Sequence, residues 1–393
     1  MNEHEESVTM KNIPGKITFV FILLFIASVG ICQVPTAQKL DSNMALNTAD
    51  QDGMVWLDPR DAPFELDGFE WIAQDGIYRR LPVHPDWEIR DEVDELANHT
   101  AGGQIRFSTN SRRLLIRVKL MERSGMYHMP ATGQSGFDLY LQDGQTKRYV
   151  STTRFPHDST QYQVELFNVN DQEMRSFILN FPLYNGVASV LVGIEKGSQI
   201  KEPPPLSFTG KIVMYGTSIT QGGCVARPGM AYSNILSRRL DAAFVNLGFS
   251  GNGRGEPALA HLINQIPGVT FVILDYEANA NETIVNTLEP FVDILREKHP
   301  DTPILIMSKI RYTSATTGSP AHQLLMENRD FQRTLVEKRN RAGDHHIFFL
   351  DGSTVLGEDY SECTVDGSHP TDLGSVRIAD ALTEAINIIL SRQ

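Results

Sequence analysis

The sequence predicts an α/β chain in which an all-β sandwich precedes a parallel sheet covered by helices on both faces. Three observations carry this. Between residues 55 and 200, short runs of β-branched and aromatic residues recur with turn residues between them. A stiff extended segment, Lys201-Glu202-Pro203-Pro204-Pro205, then breaks the pattern. From Gly210 onward, apolar runs of strand length alternate with segments of helical period.

The chain has 393 residues, enough for about two domains with ordinary cores. An apolar content of 41% and a charged content of 21% exclude bulk disorder. The formal net charge of −13 argues against nucleic-acid partners, whose phosphates require basic surface.

At the N-terminus, Lys11 and Lys16 precede an apolar run over 17–31, with Ala27, Ser28 and Gly30 near its end. This reads as a secretory signal peptide over residues 1–32. The run is shorter than the ~20 residues of a spanning helix, so cleavage is favoured over a membrane anchor. No stable membrane span is expected afterwards, and the mature protein is expected to be periplasmic or secreted. Glu3, Glu5 and Glu6 do not suit the start of such a signal, so translation is expected from Met10. Cys32 raises lipoprotein anchoring, but Ile31 stands where lipidation wants a small residue, which makes this the minority reading. Cys224 and Cys363 would then meet an oxidising compartment, paired or free; sequence does not decide between them.

Residues 33–54 are polar and aperiodic and read as a loose leader. Strands are then expected at 104–108, 114–120, 136–142, 148–152, 162–167, 177–182 and 188–194. Asn110-Ser111, Asp143-Gly144, Asn170-Asp171 and Asn185-Gly186 supply turns between them. That spacing predicts a sandwich of seven or more strands over 55–200. Residues 201–209 form the linker, and 210–393 the second domain. Its strands are expected at 211–215, 243–247, 269–274, 303–308 and 346–350. Helices follow at 231–240, 256–264, 283–298, 321–341 and 373–391. In the last of these, Val376, Ile378, Ala379, Leu382, Ile386, Ile389 and Leu390 recur at helical spacing and mark a buried face.

Parallel sheets of this kind place their sites beyond the carboxyl ends of the strands. Ser218 lies there, after the first strand and before a helix, where backbone N–H groups favour developing negative charge. Gly251 follows the second strand. It fits an ordinary glycine turn, and equally a backbone N–H that approaches an oxyanion. Asn279 follows the third strand, where it can cap a turn or give an amide donor worth about 3 kcal/mol to an oxyanion. Asp366 and His369 precede the final helix on a turn stiffened by Pro370. With that spacing the carboxylate can hold one ring nitrogen while the other faces a serine, although a loop histidine is most often a surface residue. Together these residues complete nucleophile, base and oxyanion donors, in the order Ser, Asp, His. Among the 11 histidines, neither His299 nor His345-His346 has metal-ligand spacing, so no metal site and no cofactor are expected.

At these positions the sequence resembles the SGNH (GDSL-type) esterase family. Gly216-Thr217-Ser218 stands for its first block, with threonine where the family commonly has aspartate. Gly251 stands for the glycine block, Asn279 for the asparagine block, and Asp366 with His369 for the last. The stretch from Asp366 to Gly374 is the specific one. Gly136-Phe137-Asp138-Leu139-Tyr140 and Tyr78-Arg79-Arg80-Leu81-Pro82 are similar to an N-terminal domain, GxDLY, of one branch of these hydrolases. In that branch proline often precedes the asparagine; Ala278 stands here.

The resemblance implies a flavodoxin-like three-layer α/β/α domain behind a jelly-roll-like sandwich. It also implies a Ser218–His369–Asp366 triad, with an oxyanion hole from the N–H groups of Ser218 and Gly251 and the Asn279 amide. The expected activity is that of a secreted serine esterase acting on small-molecule or glycan esters, with acetyl groups on carbohydrates favoured. The alternatives are a lipase- or thioesterase-type hydrolase of other esters, and a non-catalytic glycan-binding protein. Met126-Tyr127-His128-Met129-Pro130 precedes the Asp138 strand, and His128 is expected to reach the site as a substrate contact. Asp138 and Tyr140, two apart on one strand face, fit either interface or core.

Overall fold

The structure is a computed structural model and describes residues 53–392. The expectations for the signal segment, Met10, Cys32 and nearly all of the leader lie outside these residues.

Ten strands form the N-terminal part: β1 (Met54–Leu57), β2 (Glu65–Asp67), β3 (Gln104–Thr109), β4 (Arg113–Leu120), β5 (Asp138–Asp143), β6 (Thr146–Thr152), β7 (Gln161–Asn168), β8 (Arg175–Asn180), β9 (Val187–Glu195) and β10 (Ile200–Lys201). They make two antiparallel sheets, ordered β1-β9-β4-β7 and β10-β3-β8-β5-β6, with β2 added against β3. Alternation decides what lies between them. Ile116 and Val118 of β4, Val190 and Val192 of β9, and Phe107 and Phe177 of the facing sheet share one core. The seven expected strands are all present. The three additional ones have two to four residues, too few to show a period.

The second part has strands β11 (Lys211–Gly216), β12 (Ala243–Gly248), β13 (Val269–Asp275), β14 (Ile304–Met307) and β15 (Ile347–Leu350), all parallel. Their spatial order, β12-β11-β13-β14-β15, is the flavodoxin-like order, and its switch point lies beside β11. Seven helices accompany them: α1 (Ser218–Gln221), α2 (Tyr232–Leu240), α3 (Pro257–Ile263), α4 (Glu277–Ala280), α5 (Ile284–Arg296), α6 (Pro320–Arg341) and α7 (Asp372–Leu390). Strand period divides the apolar residues between two cores. Val213, Tyr215, Val272 and Leu274 face α3, α5 and α6. Ile212, Met214, Phe271 and Ile273 face α2 and α7. Burial on both faces is why these strands read as continuous apolar runs.

The two parts are joined by buried polar contacts. Arg80 is fully buried and donates to the carbonyls of Leu96 and His99 on its own side, and of Asn246 and Gly248 in β12. Asp138 is likewise buried. It accepts from Arg227 at 2.7 Å and from the Gly229 N–H at 2.8 Å, while Tyr140 accepts from Arg227 at 2.6 Å. Those two residues therefore belong to the interface. Lys147 pairs with Asp241, and Lys211 with Glu70. Cys224 and Cys363 are both buried and free. Among the described residues, no helix is long and apolar enough to cross a membrane.

Candidate active site

The site begins where β11 ends. Gly216 has no room for a side chain: a Cβ there would lie 1.9 Å from Thr220 Oγ1 and 2.5 Å from the Asp275 carbonyl. The chain turns at once into α1, with Thr217 as its N-cap. Thr217 Oγ1 accepts from the Ile219 N–H at 3.3 Å, and Thr220 Oγ1 accepts from the Thr217 N–H at 3.2 Å. This explains threonine in the first block, since the position needs a short oxygen-bearing cap, which threonine supplies as aspartate would. Ser218 is the first residue of the helix, so its N–H has no helical acceptor. The residue is 7% exposed.

Ser218 Oγ lies 2.9 Å from His369 Nε2, and His369 Nδ1 lies 2.7 Å from Asp366 Oδ2. The turn that carries the acid and base is built around the same carboxylate. Asp366 Oδ1 accepts from the Ser368 N–H at 3.0 Å and from the His369 N–H at 2.8 Å. Gly367 takes φ +87° at the turn, and its carbonyl accepts from the Thr313 N–H. Burial pushes the Asp366 carboxyl up, but the bonds from His369 and Ser368 outweigh it and hold it at about 2. The carboxylate is thus ionised whenever the imidazole needs it.

Gly251 sits at φ +70° with open space around it. Gly253, two residues on, approaches closely: a Cβ there would lie 2.0 Å from the Gly216 carbonyl. Its N–H donates to Asn279 Oδ1 at 3.3 Å, which turns the Asn279 amide so that its NH₂ group points away from this bond. Among the described residues, the N–H groups of Ser218 and Gly251 and the Asn279 NH₂ have no protein acceptor. Asn279 lies in α4, whose helical turn follows β13 after a single residue, Tyr276.

Several residues that hold this arrangement were not legible in the sequence. Gln221 ties α1 to its surroundings. Its Oε1 accepts from the Ser250 N–H at 3.0 Å, and its Nε2 donates to the Leu183 carbonyl and to His99 Nδ1, each at 3.0 Å. Burial first, and Arg80 second, hold His99 down to about 4, so its ring is neutral and can accept. Tyr184 of the β-domain donates to the Ser218 carbonyl at 3.0 Å. Beneath α1, buried Asp275 accepts from Tyr232 at 2.6 Å and from Thr220 at 3.1 Å. These contacts pair residues far apart in sequence, and no local motif announces them.

The loop carrying His128 reaches the same place. The His128 ring lies edge-on to the His369 ring at a centroid distance of 5.8 Å. A cleft of about 600 Å³ opens beside them, lined in part by Tyr127, His128, Cys224, Val365 and Leu373. Although the histidines lack ligand spacing along the sequence, the fold brings His128, Cys224 and His369 together, with one ligating atom of each within 4.8 Å of the others.

Known proteins match this chain in family and in fold. The model of the GDSL-like lipase/acylhydrolase family matches residues 209–387, and that of the GxDLY N-terminus of SGNH-hydrolase-type esterases matches 54–200. A protein of Bacteroides ovatus ATCC 8483 described as a GDSL-like lipase is 28% identical, over 86% of this chain and 98% of its own, with a TM-score of 0.79. The salicylyl-acyltransferase SsfX3 of a tetracycline biosynthetic pathway shares the fold at 19% identity and the same coverage, with a TM-score of 0.69. A family two carbohydrate esterase of Cellvibrio japonicus does so at 16% identity, again with that coverage, and a TM-score of 0.55. No curated protein matches in sequence. With one family model on the parallel-sheet part and its companion on the sandwich, the chain belongs to the GDSL-like lipase/acylhydrolase family, in the group that carries a GxDLY N-terminal domain.

Proposed function

We propose that the protein is an extracytoplasmic serine esterase that removes short acyl groups, acetyl foremost, from carbohydrates. The observation that carries the esterase reading is the relay from Ser218 Oγ through His369 to Asp366, at 2.9 and 2.7 Å. In this reading His369 Nε2 takes the Ser218 proton as Oγ attacks the ester carbonyl. The N–H groups of Ser218 and Gly251 and the Asn279 NH₂ receive the oxyanion. His369 then protonates the leaving alcohol, and next deprotonates the water that releases the acid and restores Ser218. Asp366 keeps the ring in the tautomer with its proton on Nδ1.

Three features support the substrate class. The low exposure of Ser218 favours a small acyl group. Tyr127, 93% exposed beside His128, offers an aromatic face for a sugar ring at the cleft rim. Family two carbohydrate esterases also share this fold, a likeness of architecture that bears on substrate only by analogy. His128 is the side chain we assign to the alcohol part of the substrate. The deciding experiment screens the protein on acetylated oligosaccharides, longer acyl esters and thioesters, beside Ser218→Ala. Acetate release from the oligosaccharides by the parent alone is expected. Turnover confined to long-chain esters or thioesters would overturn the carbohydrate reading.

A further inference from the structure

The fold assembles a group in which Cys224, a residue used by neither the esterase reading nor the sequence motifs, joins two histidines of the candidate site. His128 comes from the sandwich, Cys224 from the segment after α1, and His369 from the loop before α7. One ligating atom of each lies within 4.8 Å of the other two. We propose that these three side chains form an inhibitory binding site for a thiophilic divalent cation, Zn²⁺ being the chemistry they fit best.

Two imidazoles and a thiolate are a zinc-type donor set, and three protein ligands leave a fourth position open. Metal–ligand lengths of about 2.0–2.3 Å place tetrahedral ligand atoms about 3.5 Å apart, so the side chains need close by only about 1 Å. Among the described residues, His128 Nδ1 is buried and has no hydrogen-bond partner, so this ring carries an unmatched lone pair or N–H. On His369, Asp366 already holds Nδ1 at 2.7 Å. That is the carboxylate–histidine pairing which orients metal-bound imidazoles, and it leaves Nε2 as the ligand atom. The cleft lined by Tyr127, His128 and Cys224 gives a cation a path from solvent. On binding, the Cys224 thiol releases its proton to solvent and the sulfur bonds the metal.

Nε2 of His369 is the atom that faces Ser218 Oγ, so it serves either the metal or the serine and not both. Binding of the cation stands independently of catalysis; its inhibitory effect rests on the esterase reading. Loss of activity would follow occupancy and reverse on removal of the metal.

The test uses the full chain with Co²⁺ as a spectroscopic stand-in, and Zn²⁺ against hydrolysis of 4-nitrophenyl acetate. One equivalent of Co²⁺ is expected to raise a thiolate-to-cobalt charge-transfer band in the near ultraviolet, in the parent and in Ser218→Ala. The band should persist in Cys363→Ser and vanish in Cys224→Ser. Zn²⁺ should abolish parental turnover and EDTA restore it, while Cys224→Ser should need at least about tenfold more Zn²⁺ for the same loss. A parent without the band, or a band that survives in Cys224→Ser, overturns the site. Equal sensitivity of parent and Cys224→Ser to Zn²⁺ overturns the inhibition. A parent inactive on the ester contradicts the esterase reading, and the cobalt spectrum still decides the site.

Discussion

Ser218 Oγ lies 2.9 Å from His369 Nε2, although 151 residues separate the two in the chain. The fold makes this contact by placing β11 in the interior of the sheet and packing α2 and α7 over the same face of it. The ends of β11 and of the loop before α7 then meet at the switch point, where an α/β sheet opens a crevice.

The first prediction concerns pH. His369 must be neutral to accept the Ser218 proton, so kcat/KM should fall towards acid as that ring is protonated. Asp366, at about 2, stays ionised over this range and adds no second step. A pH profile should show an acid limb that follows one proton. A two-proton limb, or no acid limb, would count against the relay. Asp366→Asn should lower kcat by about 10⁴-fold, because the ring loses its tautomer.

Asn279→Ala removes one oxyanion donor, while the Gly253 N–H, which also donates to Asn279 Oδ1, keeps the Phe249 carbonyl as acceptor at 3.0 Å. We expect kcat to fall by about 10²–10³-fold with little change in KM. A rise in KM at constant kcat would show that Asn279 binds substrate in its ground state and not the transition state.

Arg80→Leu takes the donors from the carbonyls of Leu96, His99, Asn246 and Gly248, all of them held by one buried guanidinium. The loss should exceed about 3 kcal/mol in denaturant unfolding, since buried carbonyls are left unpaired. Arg80→Lys should recover little of it, because an ammonium cannot span the fork. A neutral result for Arg80→Leu would show that the two domains do not depend on this tie.

Burial pushes Asp275 up to about 7, against the opposing bonds from Tyr232 and Thr220. A carboxyl raised in the folded state binds more protons folded than unfolded, so stability falls as pH rises. The contribution is fully present below about 4 and is lost on the way to about 7. Melting temperature should therefore drop between pH ~4 and ~7, and Asp275→Asn should reduce that drop by roughly 3 °C. Parallel pH dependence in both proteins would place the titration elsewhere.

Much of this architecture is readable in the chain because it is periodic. Buried parallel strands such as 271–274 appear as apolar runs, and β4 and β7 as alternations. Ser218, Asp366 and His369 were visible since the turns that present them are local: a glycine-ended strand, an N-cap and an Asp-x-x-His turn. What was not visible is non-local. Gln221 bonding His99, Tyr184 bonding the Ser218 carbonyl, and Asp275 under α1 depend on chain segments that meet only after folding. The His128–Cys224–His369 group is of the same kind, since its members lie in three distant segments.

The most direct test of the central claim is the turnover of 4-nitrophenyl acetate by the purified chain and by Ser218→Ala, with melting curves for both. The parent should hydrolyse the ester. Ser218→Ala should melt at the parental temperature and lose at least about 10³-fold in kcat/KM. Equal turnover by the two folded proteins would contradict Ser218 as nucleophile, and with it the mechanism.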